Sequence, residues 1–254
     1  MAKCAPPVRS IGLIGYGAFA RLTARHVGPH FEVRAYDPAL APGANVAEAS
    51  VAITELAPAA GADVVVFATP VESLSEAITA ARPHLRAGAL VMDVGSVKVL
   101  PAKAMLDGLP DTVDVIGAHP LFGPQSAKHG IEGLKIALCP LRGERLDAVE
   151  AFLRDELKLQ VIVTTPEQHD HEAAIVQGIT HLIAKVMVQM EPLPTNLTTK
   201  SYDKLFEAIE MVRYDPPEVF DAIERLNPYS ADVRERFFTL AEALRKALAD
   251  RDNH

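Results

Sequence analysis

A doubly wound, mostly parallel α/β sheet followed by an all-helical segment is the fold class the sequence predicts, and three observations predict it. Short apolar runs alternate with helical patterns from residue 10 to residue 165. The first of these runs breaks into a glycine-rich turn, Gly15-Tyr16-Gly17-Ala18-Phe19-Ala20. Beyond Pro166 no strand-like run remains, only helical periodicity.

The first element is the apolar run SIGLI at 10–14, followed by the glycine turn and a helical pattern containing Phe19, Leu22 and Val27. Glycine at 15 permits a tight turn. Glycine at 17 lets backbone N–H groups approach a pyrophosphate at the helix amino end, and alanine at 20 allows close helix–strand packing. The spacing G-x-G-x-x-A is weak by itself and gains force from its position, between an opening strand and a second strand, FEVRAYD. This assigns Gly15, Tyr16, Gly17, Ala18 and Phe19 to dinucleotide binding. The second strand ends at Asp37, 22 residues after Gly15. A carboxylate there accepts hydrogen bonds from the adenine ribose hydroxyls and repels a 2′-phosphate, which predicts NAD over NADP; the plain alternative makes Asp37-Pro38 an ordinary turn opener.

Residues 44–58 are alanine-rich and read as a helix or a loop. The run ADVVVFA at 62–68 then has the near-continuous apolar character of a strand buried on both faces. It stops at Thr69-Pro70, where two readings stand: a loop passing under the nicotinamide-side ribose, or a strand-ending turn. A helix to about residue 81 follows.

The stretch from 90 to 126 organises the rest. It holds two further apolar runs, LVMDV and VDVIGA, and each stops abruptly in polar residues. After the first comes Gly95-Ser96-Val97-Lys98, and after the second His119-Pro120-Leu121-Phe122-Gly123-Pro124. Ligands of open α/β sheets sit beyond the carboxyl ends of the strands. A hydroxyl, an ammonium and an imidazole delivered there read as a reaction centre. Each has a structural alternative: His119 capping its strand, Ser96 satisfying turn backbone, Lys98 solvated at a helix start. Two more strands, at 134–140 and 159–165, flank the helical pattern GERLDAVEAFLRDEL.

The predicted organisation is a dinucleotide-binding domain over 1–165 and a helical substrate and dimerisation domain over 166–254. From Asp170 to Met190 an apolar stripe runs through Ile175, Ile179, Leu182, Ile183, Val186 and Met190, while Asp170, Gln177 and His181 share another face with Ala174 and Ala184. Both faces are expected to be buried, the second lining a pocket. A proline-containing break at 191–196 ends this helix, and helices over about 200–213, 216–226 and 230–250 follow. So small a helical unit cannot bury all these stripes alone, which predicts a symmetric homodimer through the carboxyl-terminal helices.

The bulk numbers narrow the partners. With a net charge of -8 the chain has no basic field, so nucleic acid is excluded. Cys4 and Cys139 are too few for a disulfide framework and lack metal-ligand spacing; Cys139 reads as a small core residue. His129, His169 and His171 read as surface or capping residues, and no metal is expected. No run approaches the roughly 20 apolar residues of a membrane span, and the amino end shows no signal-peptide pattern, so the cytoplasm is the expected compartment.

Together these motifs resemble the prephenate/arogenate dehydrogenase family of tyrosine biosynthesis. The matching elements are GLIGYGAFA at 12–20, DVGSVK at 93–98, GAHPLFGPQS at 117–126 and TPEQHDHEAAIVQGITH at 165–181, in order along nearly the whole chain. The carboxyl half, particularly SYDKLFEAIEMVRYDPPEVFDAIERLNPY, looks closer to the plant-like branch than to the enteric one. The resemblance implies a Rossmann domain with NAD and an oxidative decarboxylation of a cyclohexadienyl substrate. It gives His119 the ring-hydroxyl proton, at a working pH near the ordinary imidazole pKa of about 6.5. Ser96 would hold the same hydroxyl or the histidine, and His181 a substrate carboxylate, with Gln177, Asp170 and Lys98 as further substrate-binding candidates.

One region departs from the family pattern. Many microbial members carry a carboxylate-clamping arginine in the helix before the DP-like turn, whereas residues 205–210 here offer Glu207 and Glu210. Lys200, Lys204 and Arg213 are the remaining candidates, and an acidic pocket residue, Asp170 first among them, would favour the ammonium of arogenate. Two other readings compete: a β-hydroxyacid dehydrogenase or imine reductase, which would place a catalytic lysine on the helical domain, and a nucleotide-sensing protein without catalysis.

Overall fold

The computed structural model describes residues 8–48, 50–193 and 196–251; Cys4, and Pro194 and Thr195 in the break at 191–196, lie outside them. By internal contacts the chain divides into two units, Met1–Pro166 and Glu167–His254.

The first unit is a single eight-stranded sheet of order β3-β2-β1-β4-β5-β6-β7-β8. Its strands are β1 (Ser10–Ile14), β2 (Glu32–Tyr36), β3 (Val51–Ile53), β4 (Val64–Phe67), β5 (Leu90–Asp93), β6 (Asp114–Pro120), β7 (Lys135–Arg142) and β8 (Gln160–Val163). All neighbours are parallel except β6 and β7, which run antiparallel. The order reverses at β1, with β2 on one side and β4 on the other, which is the switch point where doubly wound sheets bind nucleotides.

Alternation along the central strands sorts their side chains onto two cores. Leu13, Val66, Leu90, Ile116 and Ala118 face α1 (Ala18–Val27) and α5 (Leu146–Asp155). Ile14, Val65, Phe67, Val91 and Val115 face α2 (Leu56–Ala60), α3 (Leu74–Ala81) and α4 (Val99–Gly108). Cys139 is fully buried between β6 and β8, as a small core residue would be. The backbone of α2 crosses β1 so closely that a Cβ on Gly12 would lie 1.8 Å from the Ala59 carbonyl oxygen.

The alanine-rich segment at 44–58 contains a strand as well as a helix: β3 adds to the sheet edge through Val33↔Val51 and Ala35↔Ile53. Three residues are too few for a pattern to show, and pairing with β2 rather than local propensity makes this strand.

The second unit is helical: α6 (Pro166–Ala173), α7 (Ile179–Gln189), α8 (Lys200–Val212), α9 (Pro217–Asp221) and α10 (Ser230–Arg251). Wide π turns at Ala174–Gly178 and Ala222–Leu226 join α6 to α7 and extend α9. Here the expected burial is partly reversed. Ile175, Val186 and Met190 of the apolar stripe are 54%, 50% and 62% exposed, while Asp170, Ala174, His181 and Ala184 are buried. Two causes act together. The π turn adds a residue to one turn, so steps of 100° do not carry across it. The small residues permit close packing: a Cβ on Gly178 would lie 3.3 Å from Glu224 Oε1. The second face is therefore packed within the helical unit.

Candidate active site

Five connections leave the same edge of the sheet, because β1, β2, β4, β5 and β6 are parallel. They carry Gly15-Tyr16-Gly17, Asp37, Thr69-Pro70, Ser96 and the end of β6 with His119. Sequence positions up to 104 residues apart thus reach one edge through register alone.

The glycine turn has the geometry a dinucleotide phosphate needs. Gly15 has φ +91°, and a Cβ there would meet the Ala68 carbonyl at 2.8–2.9 Å and Thr69 Cγ2 at 3.2 Å. A Cβ on Gly17 would meet nothing within 4 Å, so this backbone faces open space. Gly17 caps α1, no side chain accepts from the first-turn N–H groups, and no acidic residue stands in that turn. An uncapped helix amino end of this kind favours an anion. Beside it, Thr69 Oγ1 is buried and has no hydrogen-bond partner among the described residues. Orphaned buried hydroxyls are uncommon, and this one fits a ligand group. Ala18 is exposed and Phe19 partly so, its ring 6.3 Å from that of Phe122.

The adenosine side is equally built. Asp37 Oδ2 accepts from Tyr16 N–H at 2.8 Å and Oδ1 from Ala39 N–H at 2.9 Å, which fixes the carboxylate while leaving lone pairs on both oxygens. The ten residues after it, 38–47, contain no lysine or arginine to receive a 2′-phosphate. Tyr16 has a role the sequence did not disclose. Its hydroxyl donates to Glu48 Oε2 at 2.9 Å, and Arg25 Nε donates to Glu48 Oε1 at 3.0 Å. Glu48 is 6% exposed, so the glycine turn, α1 and the β2–β3 connection are pinned by one buried carboxylate. Burial opposes the charge of Glu48, but the Tyr16 and Arg25 hydrogen bonds outweigh it and hold its carboxyl below the usual range. Burial and the same bond push the Tyr16 phenol well above its ordinary value.

At the end of β5 the register pairs Asp93 with Gly117 of β6. A Cβ on Gly117 would lie 3.3 Å from Lys98 Cδ and 3.5 Å from Asp93 Oδ1, so Gly117 faces these two side chains. His119, two residues on, projects from the same face of β6. It is 4% exposed and pairs with Ala137 of β7. Ser96 is half-buried, in the loop between Asp93 and α4. Lys98 is 1% exposed; its ammonium donates to Asp93 Oδ2 and, at 2.7 Å, to the Ala118 carbonyl. Neither the solvated lysine nor the substrate-binding lysine is seen: the carboxylate it neutralises belongs to this chain. Full burial pushes the Asp93 carboxyl up from its ordinary range, while the ammonium and the Gly95 N–H pull it back.

In the helical unit the candidate groups are engaged internally. His181 Nδ1 faces the Gln177 carbonyl at 2.9 Å and Nε2 faces Asp215 Oδ2 at 3.2 Å, and both partners are acceptors. Asp170 is fully buried, 2.8 Å from His169 Nδ1, and so is not presented to an ammonium. His169 is correspondingly buried rather than a surface residue, while His171 and His129 are exposed. Gln177 is half-buried on the π turn. Arg213 lies between Glu210 and Glu191, and these two carboxylates raise its pKa and already neutralise it. Lys200 and Lys204 are exposed, with Lys204 paired to Glu207.

A sheet with its glycine turn, ribose-side carboxylate and orphaned hydroxyl at the switch point defines the class: a Rossmann-type nucleotide-binding fold. Residues 23–163 match the family model described as prephenate dehydrogenase, nucleotide-binding domain, so the chain belongs to the prephenate dehydrogenase family. That match begins after the glycine turn, which therefore stands on its own geometry. Among the relatives, arogenate dehydrogenase 2, chloroplastic, of Arabidopsis thaliana is 30% identical over 197 residues, 74% of this chain and 55% of that protein. The probable arogenate/prephenate dehydrogenase of Methanocaldococcus jannaschii is 28% identical over 202 residues, 75% of this chain and 44% of that protein. The chain thus spans about half the length of these relatives. The solved structure of A. aeolicus prephenate dehydrogenase, in complex with hydroxyphenyl propionate and NAD+, superposes with TM-score 0.73 at 18% identity, covering 99% of this chain and 94% of that one. Synechocystis arogenate dehydrogenase follows at TM-score 0.69 and 16% identity, covering 96% and 93%. These two likenesses establish the fold, including the helical carboxyl part.

Proposed function

We propose that this chain catalyses the NAD-dependent oxidative decarboxylation of prephenate or arogenate. The observation that carries the reading is the delivery of Ser96 and His119 from adjacent connections at the sheet edge that also carries the glycine turn. The family membership and the names of the relatives agree with it.

The residues that would hold the cofactor are the α1 amino end with Gly15, Tyr16, Gly17, Ala18 and Phe19 for the pyrophosphate, Asp37 for the adenine ribose, and Thr69 and Pro70 for the ribose on the reacting side. The chemistry a bound nicotinamide supplies is acceptance of a hydride from the ring carbon that bears the hydroxyl. His119 takes the proton of that hydroxyl, and Ser96 fixes the hydroxyl or the imidazole in position. Loss of the ring carboxylate as CO2 leaves an aromatic ring, which supplies much of the driving force, so the protein mainly orients and polarises. In the helical unit His181 is the candidate for a substrate carboxylate, which would take the place of Asp215 at Nε2. The test is to mix the protein with NAD and either prephenate or arogenate and follow NADH. Turnover of at least one is expected, and inactivity on both overturns the reading.

The cofactor choice is predicted as well. A 2′-phosphate against the fixed Asp37 carboxylate, with no basic residue over 38–47, costs about 2.7 kcal/mol, so kcat/KM for NAD should exceed that for NADP roughly 100-fold. Equal use of the two would remove Asp37 from this role.

A homodimer through the carboxyl-terminal helices completes the proposal. Leu240, Leu244 and Leu248 on α10 are 60%, 61% and 54% exposed, and Val186 on α7 is exposed as well. Apolar rows of this length on helices are commonly covered by a symmetric partner. Sedimentation equilibrium at micromolar concentration should give a dimer, and Leu244→Glu a monomer. A wild-type monomer would contradict the assignment.

A further inference from the structure

We propose that the buried Lys98–Asp93 pair is the positioning device of the site, tying the loop that carries Ser96 to the strand that carries His119. The inference rests on the function proposed above and adds to it two residues that hold the reacting groups without meeting the substrate.

The geometry is specific to that task. The β5–β6 register ends at Asp93↔Gly117, yet β6 continues to Pro120 against β7. Past Gly117, β6 has therefore lost its neighbour on the β5 side. Lys98, at the start of α4, reaches back and donates to the carbonyl of Ala118, the peptide that leads into His119. The same ammonium donates to Asp93 Oδ2, and that oxygen also accepts the Gly95 N–H at 3.0 Å. Ser96 thus sits between two residues, Gly95 and Lys98, that are anchored to one carboxylate oxygen, and His119 follows a peptide anchored to the same ammonium. Gly117 accommodates the arrangement: a Cβ would fall 3.3 Å from Lys98 Cδ, in the path of the lysine stem.

Energetics argue for position over stability. Lys98 is 1% and Asp93 2% exposed, so both charges are almost wholly desolvated. A buried ion pair repays that desolvation poorly, and well-packed apolar residues of similar volume often serve a fold as well or better. What apolar residues cannot do is hold a carbonyl and two turns of backbone in one arrangement. A displacement of about 1 Å in a reacting group can cost roughly 10²-fold in rate.

The experiment compares Lys98→Met in the wild type and in His119→Asn, reading kcat with NAD and the better substrate alongside the Kd for NAD and the melting temperature. Lys98→Met should lower kcat roughly 10²-fold in the wild type while leaving the Kd for NAD within about threefold. In the His119→Asn background it should cost no more than about threefold, because the base that the pair sets in register with Ser96 is already gone. If Lys98→Met does not fold, Asp93→Asn/Lys98→Met, which removes both charges together, takes its place in the same comparison. A kcat within threefold of wild type overturns the inference. So does an equal loss in both backgrounds, or a loss matched by the Kd for NAD, either of which marks a general structural effect. Wild-type inactivity on both substrates would instead sink the proposed function, and the positioning role with it.

Discussion

His119→Asn is expected to lower kcat by roughly 10²–10⁴-fold, about 2.7–5.5 kcal/mol in the barrier, with the Kd for NAD little changed. The size follows from what asparagine keeps and what it loses. It retains a hydrogen-bonding group of similar reach at a strand position that is 4% exposed, so β6 and its pairing with β7 should survive. It cannot accept a proton as the hydroxyl is oxidised. The loss belongs in kcat because the group acts as the reaction proceeds, whereas the glycine turn and Asp37 that would bind the cofactor leave other strands. Turnover near that of the wild type would take His119 out of the role of base.

The second large effect is on folding. Gly12→Ala should destabilise the protein by about 3 kcal/mol or more, at the upper end of overpacking costs. The new methyl would lie 1.8 Å from the Ala59 carbonyl oxygen and 2.7 Å from its carbon, and both are backbone atoms of α2. No rotamer change relieves such a clash; either α2 lifts from β1 or the strand bends. Both movements act on the strand that leads into the glycine turn. Urea unfolding followed by circular dichroism should show the loss as a lowered midpoint, or the variant should fail to accumulate in folded form. A change under about 1 kcal/mol would show that α2 moves aside freely and that its approach to β1 is not a constraint.

Much of this fold could be read along the chain because parallel strands buried on both faces leave runs such as VVVF, and because turns at their carboxyl ends carry polar residues. Gly15, Asp37, Ser96 and His119 were legible for that reason, each standing where an apolar run stops. The direction of β7 was not. Its apolar run is indistinguishable from a parallel strand, and orientation is set by the connection from 121 to 134, which makes turns and no crossover helix. Nor was the partner of Lys98 visible, since a lysine five residues after an aspartate meets it only when the loop between them folds back. The helical unit misled for a different reason. Periodicity identifies an apolar face but not what covers it, so Ile175, Val186 and Met190 read as core while the structure leaves them exposed and packs the face of Asp170 and Ala174 instead.

Under the proposed function, Asp170, fully buried against His169, is not the group that would distinguish arogenate from prephenate. Among the basic candidates, Arg213 is already spanned by Glu191 and Glu210. His181, the group proposed above for a substrate carboxylate, faces Asp215 at 3.2 Å.

The most direct measurement of the central claim is the ratio of CO2 released to NADH formed when wild-type protein turns over prephenate or arogenate. A ratio of one, with an aromatic product, is the predicted result, since the ring hydroxyl carbon and the ring carboxylate react in a single conversion. NADH formed without CO2 would mean that Ser96 and His119 serve a simple alcohol oxidation, and the account given for this site would be wrong.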